Sequence, residues 1–168
     1  MGYRSDVAMF IGAQTPKQFD RFLVQFKLWH LAEFGPSLKD GVLMGWDQQD
    51  YGFGADHFVF HACDVKWYET YPQVQRMEML WQFIKNFINA EQQDEGGSTT
   101  FEARFVRIGG AAEDVQIEDL GWAEKWACNG IGVRREIVMD EDDMSFGEIN
   151  PMLSGEWNRV PIEEKEEA

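Results

Sequence analysis

The groups in this chain best suited to chemistry are its three histidines, two cysteines and thirty acidic side chains. His57, His61 and Cys63 have the same parity, so in a strand they point to one face. A rise of about 3.3 Å per residue sets His57 and His61 about 13 Å apart. One zinc ion, with ligand bonds of about 2.0–2.3 Å, cannot bridge that gap. His61 and Cys63 alone offer two ligands, and neither CxxC nor HExxH is present to complete a set. No metal is expected. The run Asp140-Glu141-Asp142-Asp143 invites a calcium reading. An EF-hand loop needs Gly at its sixth position and Glu at its twelfth. Counting from Asp140 gives Ser145 and Pro151, and from Asp142 gives Gly147 and Leu153, so the pattern fails twice. Gly130-Ile131-Gly132 is too short for a dinucleotide fingerprint, and GxxxxGK[ST] is absent. Ser5, Ser37, Ser98, Ser145 and Ser154 all lie outside any GxSxG elbow. No carboxylate pair stands out as an acid–base couple. The sequence therefore nominates no catalytic residue and no cofactor, and it leans away from an enzyme.

The elements that would carry these groups follow from periodicity. Tyr3 to Gly12 reads as a strand apolar on both faces, hence central. Thr15-Pro16-Lys17-Gln18 is a capping box with proline at the first helical position. Phe19, Phe22, Leu23, Phe26 and His30 follow at helical spacing, and Gly35-Pro36 should end the helix. Val42 to Trp46 and His57 to Val65 read as two strands joined by a polar hairpin connection, Asp47 to Asp56, with Tyr51 and Phe53 at its tip. Tyr71-Pro72 opens a second helix, whose stripe is Val74, Met77, Leu80, Trp81, Ile84, Phe87 and Ile88. Thr100 to Ile108 is a further strand. Ala111 to Trp126 reads as a short helix or turns, and Gly130 to Met139 as a final strand. The expected fold class is α+β: a mainly antiparallel sheet with two amphipathic helices packed on one face.

Length and composition fit one domain, residues 1–162, with an acidic disordered tail over 163–168. The chain has 168 residues, 44% of them apolar, with seven tryptophans and thirteen phenylalanines. So many large aromatics can supply binding anchors as well as a core. The net charge is −15. Direct nucleic-acid binding is disfavoured, because phosphate contacts need clustered Lys and Arg. An acidic surface favours solubility and basic partners, including nucleic-acid-binding proteins. The opening carries no leader pattern, no apolar run nears the ~18 residues of a membrane span, and Asp6 occupies the position where a myristoylation signal needs Ser or Thr. A cytoplasmic protein is expected, with Cys63 and Cys128 as buried, inert thiols.

Three blocks carry a resemblance. Gly2-Tyr3-Arg4-Ser5-Asp6-Val7 opens the chain. Asp64-Val65-Lys66-Trp67-Tyr68-Glu69, then Tyr71-Pro72-Gln73-Val74, forms the second. Phe105-Val106-Arg107-Ile108-Gly109, with Glu113-Asp114 and Ile117-Glu118 after it, is the third. In this order they resemble a family of small, mostly uncharacterised bacteriophage and prophage proteins beginning GYRSDV or GYRSEV, over residues 2 to about 119. The resemblance implies phage origin, a bacterial host cell and a shared fold. It brings no activity or catalytic residue. Structural roles suit most of these positions: Trp67 and Tyr68 at the entry to the second helix, Arg107 paired with Glu113 or Asp114, and Arg4 with Asp6 or a neighbouring carboxylate.

Two functional readings follow. In the first, a phage accessory protein binds a host macromolecule and interferes with it. Its targets would be defence complexes such as CRISPR effectors or restriction enzymes, or host transcription and DNA-processing factors. Asp140, Glu141, Asp142 and Asp143 would imitate phosphates, since an extended chain and a DNA strand share a spacing of about 3.3–3.4 Å per unit. Trp46, Tyr51, Phe53 and Trp122 would be exposed anchors. In the second, Arg4, Lys66, Trp67, Tyr68 and Arg107 form a small concave site for a nucleotide-like ligand, as a binder or an enzyme. The oligomeric state is not readable from the sequence.

Overall fold

Ser5–Ala13 is buried along almost its whole length and forms the central strand, β1, of a five-stranded antiparallel sheet. The structure, a computed structural model, describes residues 4–94, 100–111, 113–121, 131–133 and 137–139. The other elements are α1 (Pro16–Phe34), a 3-10 turn (Gln48–Asp50), β2 (Tyr51–Phe53), β3 (His57–Val65), α2 (Pro72–Asp94), β4 (Phe101–Ile108), β5 (Val115–Gly121), β6 (Ile131–Val133) and β7 (Ile137–Met139). Strand order in the sheet is β2-β3-β1-β4-β5, and β6 pairs with β7 separately. The fold is α+β, with two helices and this antiparallel sheet among the described residues.

Register explains how apolar runs become a core. Met9 lies between Phe60 and Phe105, and Ile11 between Phe58 and Ala103. These side chains share one face of the sheet. They form a single cluster with Phe19, Phe22 and Phe26 of α1 and Met77, Leu80, Trp81, Ile84 and Ile88 of α2. Rings interlock across it: Trp29 stacks on Phe83 at 4.8 Å, and Phe87 meets Phe101 edge-on at 4.9 Å. The start of α1 is set by the expected capping box. Gln18 N–H donates to Thr15 Oγ1 at 3.2 Å, and Thr15 N–H donates to Gln18 Oε1 at 3.1 Å. On the other face of the sheet, Ala8, Phe10, Val59 and Val106 are also buried, and β7 lies against β1.

Three expected elements differ. Val42 to Trp46 is a series of turns, not a strand. Its backbone is satisfied locally: Gly41 and Leu43 N–H donate to Leu38 O at 3.2 and 3.0 Å, and Val42 N–H donates to His30 Nε2 at 3.1 Å. A Cβ on Gly41 would overlap the His30 ring. The apolar run is there because Val42 and Leu43 fill the core. The segment read as a short helix or turns contains β5, whose carboxylates are neutralised by neighbours and so tolerate a sheet. The last strand is two, β6 and β7, paired Ile131 to Met139, with the charged sequence Arg-Arg-Glu between them. The connection Asp47 to Asp56 also gains structure of its own, the 3-10 turn and β2.

Candidate functional site

The three sequence blocks meet at one end of the sheet, where β1 begins and β3 and β4 end. Ser5 pairs with Val65, and Asp6 with Ile108. Between Ser5 and Val7 the register with β3 shifts, which marks a β-bulge at Cys63-Asp64. Asp64 sits at φ 53, the only non-glycine residue with positive φ among the described residues. Aspartate tolerates that conformation better than most residues. Two side chains of the opening block hold it there. Asp6 Oδ1 accepts the Asp64 N–H at 2.8 Å, and Arg4 Nη1 donates to the Asp64 carbonyl at 2.8 Å. The Arg4 and Asp64 side chains are 4.0 Å apart and largely exposed, so their ion pair adds little beyond the backbone clamp.

The bulge also decides the fate of Cys63. It was expected to be buried and inert, but it is exposed, because the bulge turns the end of β3 outward. Its Sγ lies 3.3 Å from His61 Nε2. Burial lowers the His61 pKa against the opposing pull of Asp6 and Asp50, which favours the neutral ring, whose Nε2 can accept a hydrogen bond from the thiol. No third ligand joins the pair: among the described residues no group of three His, Cys, Asp or Glu could hold a metal ion. His57 is separate, with Nδ1 2.8 Å from Asp56 Oδ1 and its ring stacked on Phe10 at 5.8 Å.

Of the residues of the small-site reading, Arg4, Trp67, Tyr68 and Arg107 are each engaged within the chain. Trp67 is half-buried, packed between Trp46 at 6.1 Å and Phe105 at 6.3 Å. Tyr68 meets Tyr71 edge-on at 5.2 Å, and its carbonyl accepts the Tyr71 N–H at 2.9 Å, forming the turn into α2. Arg107 makes a two-pronged ion pair with Asp114 at 2.8 and 3.1 Å, which fixes the turn into β5. Lys66 is exposed. Both guanidiniums are therefore committed to intrachain partners.

The exposed-anchor reading needs correction. Trp46 and Phe53 are core residues, each 9% exposed. Trp46 packs edge-on against Phe60 at 4.9 Å, and Phe53 lies 4.5 Å from Phe58 and 6.3 Å from Phe26. Pairing of β2 with β3 draws this loop inward. Tyr51 is half-buried, and burial, then the Asp50 carboxylate, raises its phenol pKa. Trp122, Asp140, Glu141, Asp142 and Asp143, with the tail 163–168 and Cys128, lie outside the described residues.

Sequence reasoning missed one side-chain network. Glu118 Oε2 accepts the Trp81 indole N–H at 2.9 Å and lies 3.4 Å from Lys85 Nζ, tying β5 to α2. The Trp81 hydrogen bond is the leading cause of a lowered Glu118 pKa. Its sequence signal was the alternation of Val115 and Ile117 with Gln116 and Glu118. Among the described residues, no helix is long and apolar enough to cross a membrane. In comparisons with known proteins, no family model, curated protein or solved structure matches the chain.

Proposed function

We propose that this protein works by binding rather than catalysis, presenting an acidic surface to a basic partner macromolecule. What carries the reading is the fate of the positive charge. Arg21 pairs with Glu91, Arg104 with Asp119, Arg107 with Asp114, Lys85 with Glu118, and Arg4 clamps Asp64. Every such pair neutralises one acid, so the surplus of fifteen negative charges remains for the surface to carry. The arginines that would make an anion pocket are the ones engaged, which disfavours the small-ligand reading.

A strongly acidic body attracts basic surfaces and repels nucleic acid. The partner that fits is a host protein with an exposed nucleic-acid channel, which the acidic surface would occlude. Asp140, Glu141, Asp142 and Asp143 are the densest acids available for that contact. The resemblance of residues 2 to 119 to phage and prophage proteins supports reading it as a phage accessory protein acting in a bacterial cell, of the anti-CRISPR or anti-restriction kind. Fluorescence anisotropy with labelled duplex DNA tests the reading. No binding is expected at physiological salt, and the protein should displace DNA from its captured partner. Micromolar or tighter DNA binding by the protein itself would overturn it.

A further inference from the structure

The outer edge of the sheet at β5 shows an arrangement that fits a second copy of the same strand. β5 pairs with β4 along its whole length and is, among the described residues, the last strand of the sheet. The Asp114 carbonyl accepts the Gly109 N–H at 2.7 Å, so it points at β4. Backbone groups alternate direction along an antiparallel strand, which turns those of Ile117 and Asp119 outward. On the same edge Val115 is 41% and Ile117 51% exposed, while Val106, opposite Ile117 on β4, is buried. Natural edge strands are usually guarded by free charge. Here the acids of the strand face their own sheet: Asp119 is held by Arg104 at 2.6 Å, and Glu118 by the Trp81 indole and Lys85.

We propose that β5 is a self-association edge, pairing antiparallel with β5 of a second copy about a two-fold axis through Ile117. Among registers centred on residues 116 to 118, charge selects this one. Centred on Gln116, pairing sets Asp114 opposite Glu118 of the other copy. Centred on Glu118, it sets Glu118 opposite itself. Centred on Ile117, it sets Val115 opposite Asp119, Gln116 opposite Glu118 and Ile117 opposite Ile117, with no carboxylate facing another. Like charges directly opposite are destabilising, whereas the Gln116 amide, which donates one N–H to Glu118 of its own strand at 3.1 Å, keeps a second N–H for the carboxylate opposite. The two sheets would then continue as one, and the outward backbone groups of Ile117 and Asp119 would gain partners.

The obstacle is long-range repulsion between two bodies of charge −15. Salt removes it, because the Debye length falls from ~10 Å at 0.1 M to ~3 Å at 1 M. Self-association should therefore strengthen with salt, whereas binding of a basic partner weakens, so failure of one is distinguishable from failure of the other. The test is sedimentation velocity on the full chain across protein concentration, at 0.1 M and 1 M sodium chloride. A monomer–dimer equilibrium that shifts toward dimer with salt is expected. Ile117→Lys should weaken the dimer about tenfold, and Gln116→Lys, which sets a cation opposite Glu118, should tighten it. The gain in Gln116→Lys cannot arise from misfolding. Monomer under every condition would overturn the proposal, as would a dimer that Ile117→Lys leaves unchanged or Gln116→Lys weakens.

Discussion

Replacing Trp81 tests the coupling between the core and β5. Its side chain is 7% exposed, its rings lie 5.6 Å from Phe105, and its N–H donates to Glu118 at 2.9 Å. Truncating a buried Trp to Ala typically costs ~3–5 kcal/mol. A hydrogen bond to a charged group contributes about 1.5–3 kcal/mol when fully buried. Glu118 is 35% exposed. Water can replace the lost donor there, leaving about 1 kcal/mol. Trp81→Ala should therefore cost about 4 kcal/mol, and Trp81→Phe, which keeps an apolar ring, about 1–2 kcal/mol. Urea unfolding with an unchanged slope gives both values. The indole N–H holds the Glu118 pKa below its ordinary 4.5. A lowered folded-state pKa contributes stability above the unfolded value, lost as pH falls through the lowered one. The gap between wild type and Trp81→Phe should thus be full at neutral pH and shrink in acid below about 4.5. A cost under about 1 kcal/mol for Trp81→Ala would refute the packing argument.

Two further outcomes follow from the same structure. His30 is fully buried, its Nδ1 2.8 Å from the Gly35 carbonyl and its Nε2 accepting from Val42, and burial lowers its pKa from 6.5. Its neutral form therefore stabilises the fold above that ordinary value, and the urea midpoint should fall as pH drops through the lowered one; a flat profile from neutral pH to the onset of carboxylate titration would contradict this. Gly121→Ala should destabilise by at least about 2 kcal/mol, since the residue has φ 68 and a Cβ there would collide with the Phe101 carbonyl; a neutral result by thermal melting would show that the β5 end relaxes freely.

Much of the scaffold was legible because its signals are local. β1, α1, β3, α2 and β4 announce themselves by period and by the Thr15 capping box. Val42 to Trp46 was misread because a short apolar run looks alike in a strand and in a buried turn; only the His30 ring decides, and it lies twelve residues from Val42. β5 was missed because its carboxylates obscured a period-two pattern, and their partners, Arg104 for Asp119 and Lys85 with the Trp81 indole for Glu118, are known only from the fold. Trp46 and Phe53 sit beside polar and glycine-rich sequence, which signals a loop but says nothing of its depth. The exposure of Cys63 depends on a bulge set by Arg4 and Asp6, some sixty residues earlier. The pairing of Arg107 with Asp114, by contrast, was readable from their separation along the chain.

The central claim is that the surplus negative charge makes the functional contact. Affinity purification from a bacterial lysate, with wild type and the charge-reversed Asp140→Lys, Asp142→Lys, Asp143→Lys variant compared at low and high salt, tests it directly. The account predicts capture of a basic nucleic-acid-binding partner that is released as salt rises and is not retained by the variant, with both proteins unfolding at the same urea concentration. Capture that resists high salt and is undiminished in the variant would contradict it.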